Sequence, residues 1–255
     1  MYSKLTEQEV GELSRFRFTS ILEQKSSVAQ INQLLIDENM EHFLEEVKIN
    51  TKAPDLKVAA SVFVKYYAVV VVMHLYALSS WNKRLHFSLD SLYLKNKELE
   101  GYWLPEYYFE NLVAEEFTGE DRDEWRNQAI QHLFHEIISP ILIMLAKEAK
   151  VSKAILWENI AVYIDWLYEK IFDNQENVNF DDYDFLVNQA PGELFGPYQK
   201  NPLHRYHTEP VYLSELNESI RIRKTCCFTY LLGEKRTYCQ TCPLYCKKFN
   251  TGKKN

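Results

Sequence analysis

Glycine is scarce in this chain, with 7 in 255 residues. Folds built from many tight turns, such as sandwiches and barrels, draw on more of it, so the shortage favours helices. No G-x-G-x-x-G and no G-x-x-x-x-G-K-[ST] occurs, so no stretch offers a cradle for a dinucleotide or a nucleoside triphosphate. The opening M-Y-S-K-L-T-E-Q-E-V lacks the apolar run of a secretion signal, and the expected location is the cytoplasm. Cysteine is missing from the first 225 residues. Scattered core thiols therefore do not explain the five that follow.

All five lie in R-I-R-K-T-C-C-F-T-Y-L-L-G-E-K-R-T-Y-C-Q-T-C-P-L-Y-C, from Arg221 to Cys246. Cys226 and Cys227 are adjacent, eleven residues intervene, Cys239 and Cys242 form C-x-x-C, and Cys246 follows. In a reducing compartment such a cluster suggests a soft metal before a disulfide. Zinc, an iron–sulfur cluster and redox thiols all remain open on the spacing. Adjacent side chains in extended backbone point to opposite faces, which suits two separated sulfur sites better than one tetrahedral ion.

The net charge of −7 conceals a division. Residues 219–255 carry nine Lys or Arg against Glu234 alone, whereas the other 218 residues carry 20 basic and 35 acidic side chains. An acidic body without a long basic face argues against nucleic acid as a partner. A basic tail suits an anionic ligand or a negatively charged metal centre. Arg221, Arg223, Lys224, Lys235 and Arg236 are placed in sequence to balance an oxidised two-iron cluster with four thiolates, whose charge is near −2.

Periodicity predicts a mainly α (α+β) protein: a helical body with a few short strands and a small C-terminal cysteine-rich cluster-binding segment. The expectation is one domain over 1–255. It comprises an N-terminal helical extension at 1–50, a helical body at 51–218 and the cysteine segment at 219–250. Helices are expected from Thr6 through about Gln24, over 28–39 and over 41–47. A long apolar helix should run from Asp55 to about Ser80. With Lys65 and His74 inside it, the helix reads as buried core rather than a membrane span. Alternation over 85–94 predicts a strand or hairpin arm, and W-L-P-E-Y-Y-F a turn at Pro105. A further helix is expected over 121–150, kinked or split at Pro140, and another after Ser152. Residues 173–184 read as a solvated acidic loop with Asp181, Asp182 and Asp184. Residues 191–210 should be irregular, and V-Y-L and S-I-R-I-R-K-T extended.

Other candidates are weaker. His132, His135 and Glu136 share a helix but do not form a zincin pattern, and Trp166 reads as core. His204, Arg205 and His207, in a Pro-flanked segment, could line an anionic-ligand pocket.

The C-C…C-x-x-C ending with its Arg-rich lead-in resembles the ferric siderophore reductases, the FhuF-like 2Fe–2S proteins. Upstream, H-L-F-H-E-I-I-S-P-I-L-I-M-L-A-K-E-A-K-V-S-K-A-I-L-W-E-N-I-A resembles the same family, including its L-W-x-N-x-A segment at Leu156–Ala161. The likeness covers roughly residues 55 to 246, and the gap between the cysteine pairs is one residue longer than usual for the family. It implies a 2Fe–2S cluster on Cys226, Cys227, Cys239 and Cys242, with Cys246 outside the set and Trp157 and Asn159 in supporting roles. It also implies a cytosolic oxidoreductase that passes one electron to a ferric siderophore of citrate or hydroxamate type. Fe(II) is softer than Fe(III) and is held more weakly by hard oxygen donors. Without a nucleotide fingerprint the electron must come from a separate donor, such as a ferredoxin, a flavodoxin or a flavin reductase. A peripheral contact with a membrane transporter is a further expectation. The rival readings are a zinc-bearing structural module and a siderophore-binding, synthetase-like protein without a redox role.

Overall fold

The structure is a computed structural model that describes residues 2–22, 28–214, 217–233 and 237–250. Lys235 and Arg236, two of the expected charge-balancing residues, lie outside the described residues, as does the end of the first expected helix.

The fold is a helical body with short strands. Strand β1 (Tyr2–Lys4) leads to helix α1 (Glu7–Ser14), which opens on a capping box between Thr6 and Glu9. The helix ends at Ser14, well before Gln24. Phe16 and Phe18 are both buried, with Arg17 between them at φ 65°. That two-residue alternation makes Phe18–Thr19 a strand, β2, paired parallel with β8 (Glu106–Phe109). The helix expected over 28–39 is likewise overturned. Strand β3 (Val28–Gln30) and a 3-10 turn (Ile31–Leu35) come first, and helix α2 (Asp37–Thr51) then spans the third expected helix. Only Ile31 and Leu34 of the 3-10 turn are buried, too narrow a stripe for a longer helix.

Helix α3 (Leu56–Trp81) is the axis of the core. Asp55 caps it by accepting the Val58 N–H at 2.8 Å. From Val58 to Ser79 every residue but Lys65 and Tyr66 is buried. Helices α3 and Arg122–Glu148 are long and apolar enough to cross a membrane, but α3 is enclosed by the protein's own side chains. α2 packs on one side of it and α6 (Lys153–Trp166) on another. The β-branched run Val69–Val72 is therefore helical because it is buried on all sides, which outweighs its β preference.

Strand β4 (Lys83–His86) and β5 (Leu92–Lys95) replace the one strand or hairpin arm expected over 85–94. A 3-10 turn at Leu89–Ser91 separates them and sends them to different sheets. A small hairpin, β6 (Glu98–Leu99) and β7 (Tyr102–Trp103), precedes β8. One sheet has the order β1–β9–β4, with β9 at Val113–Glu116, and the other β2–β8–β5–β3. Pro105 is followed directly by a strand.

Helix α4 (Arg122–Gln131) passes through a π-helical segment, His132–Ile138, into α5 (Ser139–Glu148). Pro140 does not split this run in two. The Ser139 N–H bonds to Phe134 O five residues back, and the widened turn makes room for the proline ring. α6 continues as a π turn at Leu167–Ile171. The expected acidic loop is only partly a loop, because Asp181–Asp184 forms a short helix, α7. Asp182 is not solvated. It is buried and takes two hydrogen bonds from Arg122, at 2.6 and 2.8 Å, and one from Ser79 at 2.9 Å. Residues 191–210 hold only short 3-10 turns. A hairpin, β10 (Val211–Leu213) and β11 (Glu218–Ile220), then delivers the chain to the cysteines, and α8 (Pro243–Asn250) closes it.

Candidate metal centre

The cysteine segment is held to the body by buried polar bonds as well as by Phe228, Leu231 and Leu232, which pack on the body's core. Its small core contains Leu213, Ile220 and Cys246. After β11 the chain becomes irregular, so its backbone N–H groups need partners from elsewhere. Glu158 on α6 supplies them. Its buried carboxylate accepts the Lys224 N–H at 2.6 Å and the Thr225 N–H at 2.7 Å, together with the Thr225 hydroxyl. Arg223 is buried and balances that charge. Its Nε lies 3.7 Å from Glu158, and its Nη2 donates to Asn159 Oδ1 at 2.6 Å. The Arg223 N–H also reaches Thr241 O at 3.0 Å, which ties the lead-in to the C-x-x-C turn.

Asn159 completes a second chain of contacts. Its Nδ2 donates to Ser61 O and Ser61 Oγ on α3, at 2.8 and 3.0 Å, and Ser61 Oγ donates to the Cys227 carbonyl at 2.9 Å. Asn159 is thus buried between α3, α6 and the cysteine segment.

Cys227 Sγ and Cys239 Sγ lie 3.8 Å apart. Two thiolates on one tetrahedral ion at metal–sulfur bonds of about 2.3 Å are separated by about 3.8 Å. Cys226 lies close enough to Cys242 to feel its charge, and Cys242 to Cys246. Among the described residues no three His, Cys, Asp or Glu side chains converge on a single ion. The Cys227–Cys239 separation is one that two sulfurs on the same metal ion would have, with Cys226 and Cys242 in the same neighbourhood.

Their electrostatics differ. The Cys227 thiolate is favoured by a shared proton from Cys239, then by Lys65 and Arg223, and by the Thr229 hydroxyl 3.1 Å from its sulfur. Cys239 is correspondingly held in its protonated form by Cys227. Burial pushes the Cys226 thiol up, against the Phe228 N–H that reaches its sulfur at 3.4 Å. Phe228 sits at φ 62°, a left-handed conformation that costs of order 1 kcal/mol in a residue with a side chain. Lys57, 5.2 Å above its ring, packs on that bend. Burial also raises the Cys246 thiol, whose Sγ faces Gln240 O at 3.5 Å.

Beside the cysteines opens a cleft of about 680 Å³, whose wall includes Lys65, Tyr163, Trp166, Tyr206, Ile222 and Cys239. Its charges are largely committed. Arg221 pairs with Asp165 at 3.3 Å and also with Glu169, and Lys170 lies 3.9 Å from Glu218. Asp165 is pushed up to about 6, chiefly by burial, while the Tyr183 hydroxyl and Arg221 pull the other way.

The structure brings Arg223, Lys224, Asn159 and the four candidate cysteines into one region, with Lys224 contributing its backbone. Arg221 lies on the cleft wall. Trp157 does not join them. It is core, packed among Phe134, Phe195 and Tyr198 in tilted and edge-on contacts, with its indole N–H on the Tyr198 hydroxyl at 2.9 Å. His204, Arg205 and His207 do not converge. His204 faces Val187 O, Arg205 covers Tyr206, and His207 meets the Tyr183 hydroxyl. His132 pairs with Glu136 at 2.9 Å and lies near the rings of His74 and His86. Sequence reasoning missed Glu158, Ser61, Lys65 and Thr229 as site residues. Two of them carried a signal: Lys65 is the one Lys or Arg inside the long apolar run, and Glu158 stands between Trp157 and Asn159.

A family model described as ferric iron reductase FhuF-like transporter matches residues 63–214. The match takes in α6 and most of α3 and ends before the first cysteine. The comparison with curated proteins returns no match.

Proposed function

Because the chain belongs to the FhuF-like ferric iron reductase family, we propose that it is a cytoplasmic ferric-siderophore reductase carrying a 2Fe–2S cluster on Cys226, Cys227, Cys239 and Cys242. The observation that carries this reading is the gathering of the cysteines beside a large cleft, with Cys227 and Cys239 3.8 Å apart and Cys239 in the cleft wall. When bound, such a cluster supplies one electron to an Fe(III) chelate, which becomes Fe(II), and regains one electron from a separate donor protein.

The chain's own residues do the rest. Glu158 and Arg223 lock the lead-in to the cysteines against α6. The Phe228 N–H and the Thr229 hydroxyl are aimed at two of the sulfurs, where such donors favour added negative charge. The cleft, lined by Tyr163, Trp166, Tyr206 and Ile222, gives the apolar shell of a citrate- or hydroxamate-type chelate a place beside Cys239. Arg221 and Arg223 are engaged with carboxylates, so among the described residues of the cleft wall Lys65 is the cation that attracts an anionic chelate.

The test is an anaerobic absorption spectrum of the purified protein with iron and sulfide analysis, followed by addition of a ferric chelate to the reduced protein. A red-brown protein that bleaches on reduction and recovers its colour as Fe(II) appears is the expected result. A colourless protein with one zinc per chain would falsify the reading.

A further inference from the structure

A charge facing the cleft does not by itself account for the contacts of Lys65. It is an ammonium set into the otherwise buried run of α3, and among the described residues it has no carboxylate partner. Its Nζ instead meets Thr229 Oγ1 at 2.9 Å, and Thr229 Oγ1 lies 3.1 Å from Cys227 Sγ. An ammonium has donors and no acceptor. Thr229 Oγ1 must accept from Lys65, which leaves its own proton directed at Cys227 Sγ. A hydroxyl without that lysine is free to turn and accept elsewhere.

We propose that Lys65 is a positioning residue that acts through Thr229 to hold an O–H···S hydrogen bond on Cys227, and so favours the reduced state of the centre. The proposal rests on the 2Fe–2S reading and adds a role for two residues outside the ligand set. Hydrogen bonds to cluster sulfurs stabilise the form with the extra electron. Lys65 is suited to the role by its position. It rises from a rigid helix anchored by Asp55, lines the cleft with Cys239, and belongs to the same helix face as Ser61, four residues earlier, which holds the Cys227 carbonyl. α3 thus grips Cys227 at both its backbone and its sulfur.

The experiment is a redox titration of the coloured protein with four variants: Thr229→Val, Thr229→Ser, Lys65→Met and the Thr229→Val/Lys65→Met double variant. Thr229→Val should weaken the reduced state about tenfold, a fall of about 59 mV for a one-electron couple. Thr229→Ser should keep the wild-type potential. Lys65→Met should lower the potential in the wild-type background and change it much less in the Thr229→Val background, because the lysine works through the hydroxyl. Equal Lys65→Met shifts in both backgrounds, or an unchanged Thr229→Val potential, would overturn the relay. If Lys65→Met does not assemble a cluster, the contrast between Thr229→Val and Thr229→Ser decides alone. Failure here leaves a coloured protein with the wrong potentials. Failure of the underlying reading leaves every variant and the wild type colourless, and removes the relay with it.

Discussion

The helical body and the cysteine segment are held together in opposite ways. α3 is surrounded by Val, Ala, Phe and Leu, and its neighbourhood persists through apolar area removed from water. The cysteine segment adds only a small core of its own around Leu213, Ile220 and Cys246, seats Phe228, Leu231 and Leu232 on the body, and draws its buried polar bonds from Glu158, Asn159 and Ser61, all supplied by the body. Apolar packing tolerates exchange among residues of similar size. A buried polar network does not, because removing one partner strands the others. The body is therefore expected to be robust without the metal centre, and the segment to depend on both the body and the metal.

The largest effect should come from the ligands. Substituting Ser singly at Cys226, Cys227, Cys239 or Cys242 should abolish the visible spectrum while far-ultraviolet circular dichroism keeps its helical amplitude; loss of the helical signal would show that body and segment are not separable. Next is Glu158→Gln, which places amide donors opposite the Lys224 or Thr225 N–H and leaves Arg223 without its counter-charge. A cost of about 3 kcal/mol is expected, seen as a drop in Tm of roughly 6–12 °C and faster cluster loss. A wild-type melting curve would remove the polar-tether account. Stripping the metal with a chelator should raise amide exchange in residues 219–246 at least tenfold and leave α3 unchanged; uniform exchange in both states argues that apolar packing suffices for the segment.

A smaller contrast concerns pH. His74 lies wholly inside the body, neither ring nitrogen has a hydrogen-bond partner among the described residues, and burial, reinforced by His132, His86 and Arg84, holds its pKa well below the ordinary value. The unfolded chain takes up that proton near pH 6.5 and the folded chain does not, so ν_U exceeds ν_N and stability falls as pH drops below about 6.5. The loss should approach about 1.4 kcal/mol per pH unit, and His74→Phe should flatten it between pH 6.5 and 5 in urea titrations. An unaltered slope would place the acid sensitivity elsewhere. Smallest of all, Cys246→Ser should cost about 1 kcal/mol through its contact with Leu213 and Ile220 and leave the colour intact. Bleaching would make Cys246 a ligand.

Local signals served the body better than the site. The Asp55 cap and the apolar run to Ser80 define α3 because a cap and an uninterrupted apolar composition are properties of neighbouring residues. R-F-R-F misled because a helix and a strand both accommodate so short a pattern, and pairing with β8 decided between them. Asp182 looked like surface charge because its counter-charge, Arg122, lies sixty residues away in sequence.

The sequence by itself determined that five cysteines stand together behind a basic lead-in, that no nucleotide-binding loop accompanies them, and that one apolar helix dominates the core. These are matters of composition and spacing. Only the tertiary structure decided that Cys227 pairs with Cys239, that Arg223 is spent on Glu158 and Asn159, and that Lys65 meets Thr229. The contacts of Arg223 and Lys65 join elements far apart in the chain, with 164 residues between Lys65 and Thr229. A periodic pattern reports which face of an element is buried and carries no information about which distant residue it meets.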